Sequence, residues 1–248
     1  MPVHDFRSQR LFVDIALDSD IVHECSKDQA NYLRNVLRLN DGDQVLVFNG
    51  TDGEWLTRLE VSGKRRCALV VVEQVRAQES GPDLDYLFAP LKRARLDYMV
   101  QKATELGVSS LRPVMTQHTI AERVNTTRMR SNVVEAAEQC GILRLPVVHE
   151  PSKLASVIEG WPEERYLLFA DEAAEVGSPL SAFDGLERGA PMAVIVGPEG
   201  GFSEAERSLI RARPRSRTVS LGPRIMRADT AAVALLALVN AVVGDWTA

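Results

Sequence analysis

"VGPEGGFSEAE", Val196 to Glu206, follows the apolar run "MAVI" and reads as a strand end, a glycine-rich loop and a helix start. Ser203 and Glu206 have the spacing of a capping box, which is a sufficient structural reason for both. The loop proper is then Gly197, Pro198, Glu199, Gly200 and Gly201. A tight turn needs only two glycines; a third lets a ligand approach bare backbone. The stretch matches neither G-x-x-x-x-G-K-[ST] nor G-x-G-x-x-G. Glu204 and Glu206 already complement the helix dipole, and Glu199 adds a further carboxylate, so a phosphate is unwelcome here. A neutral or cationic ligand fits better. S-adenosylmethionine has such a character: a sulfonium, an ammonium group and an adenine that can lie on backbone.

Outward from this loop, residues 84–248 alternate strand and helix. "LDYLFAPL", "VSSLRPVM", "LPVVHE", "RYLLFAD", "MAVIVG" and "RTVSLG" read as strands. "ARLDYMVQKATEL" (closed by Gly107), residues 126–140, "SKLASVIEG" (capped by Ser152), "SEAERSLIRA" and "DTAAVALLALVNAVV" read as helices. Such alternation implies an α/β domain with a parallel sheet and helices on both faces. Ligands of open parallel sheets sit outside the carboxyl ends of strands. Three ends are chemically unusual: "LLFADE" (167–172), which contributes Leu168 and Phe169; the opening loop; and "SLGPRIMRADT" (220–230). The last repeats the Gly-Pro element. Its Leu221, Gly222, Arg224, Ile225 and Met226 can sandwich an adenine and turn arginines toward an anion, and Asp229 or Thr230 can cap the next helix. That helix is apolar all round and must be covered, either by its own domain or by a second subunit.

Residues 1–76 read as a small β-rich domain with one helix, "SKDQANYLRNVLRL", capped by Ser26 and Gln29. "RLFVDI", "DQVLVFNG", "EWLTRLEVS" and "CALVVVEQV" are its strands, with "NGTDG" a hairpin loop and "AQESGPDLD" (77–85) a linker. The three cysteines are far apart, which predicts reduced thiols, and the four scattered histidines make a metal site improbable. No apolar leader precedes the first strand, and the longest apolar run falls short of the roughly 20 residues of a membrane span. The expected location is the cytoplasm. Net charge is −5, against a non-specific nucleic-acid binder, yet between Arg207 and Ala228 arginines stand with no later acidic residue among them. That concentration suits either a polyanion footprint or a solvated face.

These motifs together resemble the SPOUT superfamily, specifically the RsmE-type methyltransferases of small-subunit ribosomal RNA. The resemblance rests on "GPEGGFSEAE" followed by "LGPRIMRADTA", with support from "QKATELGV", "AER", "EAAEQCG", "RLFVD" and "NYLRNVLRL". It implies a PUA-like β-barrel, then an α/β domain with a trefoil knot, a homodimer, S-adenosylmethionine in the knotted loops, and methylation of uridine N3 in 16S rRNA of the small ribosomal subunit. Asp229, Val124 and Ile142 depart from the family's usual Glu, Ser and Arg.

Uridine N3–H is a poor nucleophile while protonated, so the enzyme must remove the proton or stabilise the charge that develops on O2 and O4. Arg227 and Arg10 are candidates for that stabilisation, and Glu199 or Glu138 for the base. For Glu199, holding the loop or the ligand's ammonium is the stronger reading. RNA-binding candidates are Arg34 and Arg38, four apart on the first helix, Lys64, Arg65 and Arg66 on a hairpin, and Lys92 with Arg93 and Arg95; the matched motifs add Lys102 and Arg123. Competing readings are a methyltransferase for another rRNA or tRNA base, a silent RNA-binding assembly factor, and, least favoured, a small-molecule enzyme using an adenine cofactor.

Overall fold

The structure is a computed structural model that describes residues 8–63, 66–121 and 123–246. It divides into two units: residues 1–80 with 137–144, and residues 81–136 with 145–248.

The first unit is a five-stranded sheet in the order β1-β3-β4-β5-β2, made of β1 (Arg10–Phe12), β2 (Val22–Glu24), β3 (Gln44–Phe48), β4 (Glu54–Val61) and β5 (Cys67–Arg76). β1 runs parallel to β3, and every other pairing is antiparallel. Alternating apolar side chains, among them Val45, Val47, Leu59, Leu69 and Val71, bury one core with Leu33. The expected capping box on α1 (Lys27–Asn31) is present, with both Ser26 and Gln29 engaged. The helix does not continue as the sequence suggested. It loosens into a π-helical turn, Tyr32–Val36, and Arg38 takes a left-handed φ of 58°. Arg34 and Arg38 therefore do not share a helical face. Within this unit Arg10 Nε donates to Glu54 Oε1 at 2.8 Å, with both side chains almost wholly buried. Glu54 also faces Arg76 at 3.7 Å, so one buried carboxylate lies between two guanidiniums.

The second unit holds a parallel sheet in the order β12-β10-β11-β6-β7-β8. Its strands are β6 (Leu84–Phe88), β7 (Ser110–Met115), β8 (Val147–Val148), β10 (Tyr166–Ala170), β11 (Met192–Val196) and β12 (Ser216–Val219), and the short β9 (Ser152–Lys153) pairs with β7. Because β6, β10 and β11 are covered on both faces, they read as continuous apolar runs. Tyr86, Leu168 and Val194 face a core shared with α2 (Arg93–Glu105), α3 (Thr126–Cys140) and α6 (Ala228–Val242). Leu87, Phe169 and Ile195 face the opposite core, shared with α4 (Leu154–Glu159) and α5 (Glu204–Arg211). Gly107 closes α2 with φ of 74°. Ser152 was expected to cap α4; it lies in β9 instead, and Lys153 is the N-cap residue without a side-chain bond.

The apolar α6 is covered on one side. Ala231, Ala232, Leu235, Leu236 and Val239 are buried, while Val233, Ala234, Ala237 and Leu238 form a half-buried stripe at helical spacing.

Candidate functional site

The carboxyl ends of β10, β11 and β12, three neighbouring strands, enclose a cavity of about 370 Å³. That volume lies within the range of small-molecule sites. β10 contributes Ala170, Asp171 and Glu172; β11 contributes Val196, Gly197, Pro198, Glu199 and Gly201; β12 and its loop contribute Val219 through Ala228.

The glycine-rich loop is fixed by its neighbours. A Cβ on Gly197 would lie 2.6 Å from the Phe202 ring, which packs edge-on against Phe169 in the core. Burying Phe202 stabilises this corner by about 1.5–3 kcal/mol. Gly201 has φ of 67°, and a Cβ there would collide with the Glu172 carboxylate. The capping box on α5 is formed: Ser203 N donates to Glu206 Oε2 at 2.8 Å. The other oxygen, Oε1, accepts from Gln117 N at 2.8 Å, so Glu206 also ties the loop after β7 to this site. His118 Nδ1 lies 3.1 Å from Gly201 O beside it. Glu199 is paired with Arg95 of α2.

Asp171 anchors the opposite wall. Its side chain is wholly buried and accepts from Arg207 Nε at 3.1 Å and Arg211 Nη2 at 2.5 Å. Ala173 N donates to the same carboxylate at 3.0 Å, and Arg207 also holds Glu172. Burial works against the charge on Arg207, and Asp171 with Glu172 outweigh it, so the guanidinium is held above its ordinary range. The arginine run thus divides. Arg207 and Arg211 brace the cavity wall, Arg213 donates to Trp161 O at 2.7 Å, and Arg215 donates to Glu164 O at 3.0 Å and lies over the Tyr166 ring.

Arg224 and Arg227 differ. Both are exposed on the cavity lining, and among the described residues no carboxylate forms an ion pair with either. Leu221 and Met226 pack against the core, so the loop is anchored at both ends. Between them Gly222 turns with φ of 97°, and Ile225 stands 96% exposed. Arg227 is the N-cap residue of α6 and makes no side-chain cap. Asp229 and Thr230, expected to cap, lie in the first turn, where Thr230 N donates to Asp229 Oδ1 at 2.9 Å.

The other sequence candidates scatter. Leu168 and Phe169 are fully buried in the two cores; the last residue of β10, Ala170, and Asp171, Glu172, Ala174 and Val176 of the loop after it reach the cavity. Gly200 and Thr230 do not line it. Arg10 and Glu138 lie in the first unit, where Glu138 Oε1 accepts from Phe12 N at 2.8 Å. Arg34 donates to Leu39 O; Arg38 and Arg66 are exposed in the same unit. Lys64 and Arg65 lie outside the described residues. Lys92 and Arg123 are exposed in the second unit, and Lys102 pairs with Glu105 at 2.6 Å. Asp171, Glu172, Ser220, Pro223 and Ala231 line the cavity without having been singled out. The legible signal for Asp171 was an acid at the end of an apolar strand.

The lining suits a zwitterion joined to an aromatic base. Glu172 and Glu199 offer carboxylates, Arg224 and Arg227 guanidiniums, and Gly197, Gly201 and Gly222 bare backbone. S-adenosylmethionine matches that set.

Two family models match the chain: one described as an RNA methyltransferase domain over residues 78–240, the other as an RNA methyltransferase PUA domain over residues 26–72. The ribosomal RNA small subunit methyltransferase E of Rickettsia conorii is 29% identical over 232 residues, covering 93% of this chain and 94% of that protein. Its counterpart in Synechocystis is 31% identical over 221 residues, covering 86% of this chain and 71% of the relative. The crystal structure of a ribosomal RNA small subunit methyltransferase E from Neisseria gonorrhoeae, bound to S-adenosyl methionine, aligns with a TM-score of 0.87 at 25% identity, covering 97% of this chain and 100% of that one. No helix among the described residues is long and apolar enough to cross a membrane, and no group of three or more metal-ligating side chains stands together among them. With a PUA-type match over residues 26–72 and an RNA methyltransferase match over residues 78–240, the segment that carries the three-loop cavity, the chain belongs to the RNA methyltransferase family.

Proposed function

We propose that this chain methylates N3 of a uridine in 16S rRNA of the small ribosomal subunit, with S-adenosylmethionine as donor, in the cytoplasm. The observation that carries this reading is the cavity itself: three adjacent strand ends supply bare backbone and both signs of charge at one place. When bound there, S-adenosylmethionine supplies a methyl group activated by the adjoining sulfonium. Gly197, Gly201, Leu221, Gly222 and Met226 form the wall for its apolar and backbone-contacting parts. Glu172 and Glu199 face its ammonium group. Arg227 stabilises the charge that develops on the uracil oxygens as N3 gives up its proton to solvent water. Arg10 and Glu138 serve the framework of the first unit, where each already has a buried or half-buried partner. The loops 171–178, 197–203 and 220–227 are the segments to which the knot of the resemblance corresponds. A second copy of the chain covers the half-buried stripe Val233, Ala234, Ala237 and Leu238.

The test is calorimetric titration with S-adenosylmethionine, followed by mass mapping of small subunits incubated with enzyme and cofactor. Binding by the parent chain, its loss in Gly201→Val, and a single added methyl on one 16S uridine are expected. Methylation of a different base, or of tRNA, would replace the substrate assignment. Failure to bind cofactor either alone or with subunits present would leave an RNA-binding protein without methyltransferase activity.

A further inference from the structure

Within the second unit the loop at 220–227 carries an exposed apolar side chain between two arginines. Ile225 is 96% exposed, the most exposed large apolar side chain of those described. It sits on the lining of the cavity between Arg224 and Arg227, and Val176 is a second exposed apolar side chain on the same lining. The loop is built to display it. Gly222 makes the turn at φ of 97°, and the space where its Cβ would stand is open. Leu221 on one side and Met226 on the other pack into the core, while Pro223, Arg224, Ile225 and Arg227 remain exposed. Ile225 therefore belongs to the cavity lining with its side chain almost wholly exposed. The flanking Arg224 and Arg227 guanidiniums have no ion-pair partner among the described residues, so the apolar tip is framed by two cations available to an anion.

An apolar tip between two such cations is complementary to a polyanion that carries flat rings. Nucleic-acid proteins use this combination: cations hold phosphates, and an apolar side chain meets a base that has left its stack. A base whose N3 is to react must present that edge to the cavity, so its ring face is available to whatever lines the rim.

We propose that Ile225 is an RNA-contacting residue that packs against the face of the unstacked target pyrimidine, with Arg224 on the adjoining phosphate and Arg227 left to the uracil oxygens. This rests on the functional reading above and adds to it a substrate-side contact for a residue on the lining of the cofactor cavity. Ile225 acts by holding the ring in place and moves no proton.

The experiment uses the full chain, S-adenosylmethionine and unmethylated small ribosomal subunits. Ile225→Ala and Ile225→Leu are compared with the parent for subunit Kd by filter binding, KM for subunits, cofactor Kd by calorimetry, and sedimentation velocity. In Ile225→Ala, subunit Kd and KM rise about tenfold, the size of a lost base contact. In Ile225→Leu they return to within about twofold of the parent, while cofactor Kd and sedimentation stay at parental values in both variants. A rise in cofactor Kd with subunit Kd unchanged places the side chain against the cofactor and overturns the proposal. A slower-sedimenting Ile225→Ala places a second copy of the chain on Ile225 and overturns it as well. No change in any quantity does the same. If the parent chain methylates nothing, the functional reading fails on its own, and the filter-binding comparison still decides whether Ile225 touches RNA.

Discussion

The loops after β11 and β12 both open with Gly-Pro, both line one cavity, and have opposite surroundings. In the loop at 197–203 every missing side chain is accounted for by a neighbour: Phe202 against Gly197, His118 near Gly200, Glu172 against Gly201. In the loop at 220–227 the position beside Gly222 is open, and its arginines and Ile225 face outward. The first loop is braced from within, through α5 and the buried Asp171. The second is anchored only at Leu221 and Met226. A shared sequence motif therefore separates into a wall and a display surface, and the separation is made by residues outside the motif.

The largest way to break this contrast is Asp171→Ala. It removes the buried acceptor that Arg207 and Arg211 share, and about 1.5–3 kcal/mol of stability is expected to go, because Arg207 keeps Glu172 and Arg211 reaches solvent. Urea unfolding would read it; a loss under about 1 kcal/mol would mean that the wall is held by packing alone. Next comes the glycine pair. Gly201→Ala combines a left-handed φ with displacement of the Glu172 carboxylate from Arg207 and is expected to lose about 1–2 kcal/mol, whereas Gly222→Ala meets only the backbone penalty of about 1 kcal/mol. Equal unfolding midpoints for the two variants would erase the distinction between wall and display. Smaller still, Arg95→Ala removes an exposed partner of Glu199 and should change stability by no more than about 0.5 kcal/mol. Arg224→Ala should leave stability unchanged and instead lower the salt dependence of subunit binding by about one counterion.

Local chemistry was readable in advance. Both capping boxes, α3 over 126–140, and the three strand ends that meet at the cavity come from spacing and periodicity over a few residues. The unreadable part depends on pairs far apart in the chain. Asp171 finds its arginines 36 and 40 residues later, and no local pattern couples them. Leu168 and Phe169 lie just before the residues that reach the cavity, because a strand covered on both faces buries its whole length and exposes only the residues beyond its end. The kinked first helix escaped for a different reason. Its apolar pattern continues through Leu37 and Leu39, yet from Tyr32 the hydrogen bonding widens by one residue, Leu37 N donating to Tyr32 O at 2.9 Å, and Arg38 turns left-handed.

The first unit includes residues 137–144. From that segment Glu138 receives the Phe12 N–H, and the Gly141 carbonyl receives a guanidinium N–H of Arg76. A nascent chain emerges from the ribosome in order, so when residue 80 is free the first sheet still lacks these acceptors. β6, α2, β7 and most of α3 must be synthesised before they arrive. At the rate of translation, roughly 5–20 residues per second, the wait for residue 144 lasts seconds, far longer than a hairpin takes to form. The amino-terminal unit is therefore started first but is completed only after the early part of the next unit has been made, and before the rest of it. Its completion depends on the early part of the unit after it.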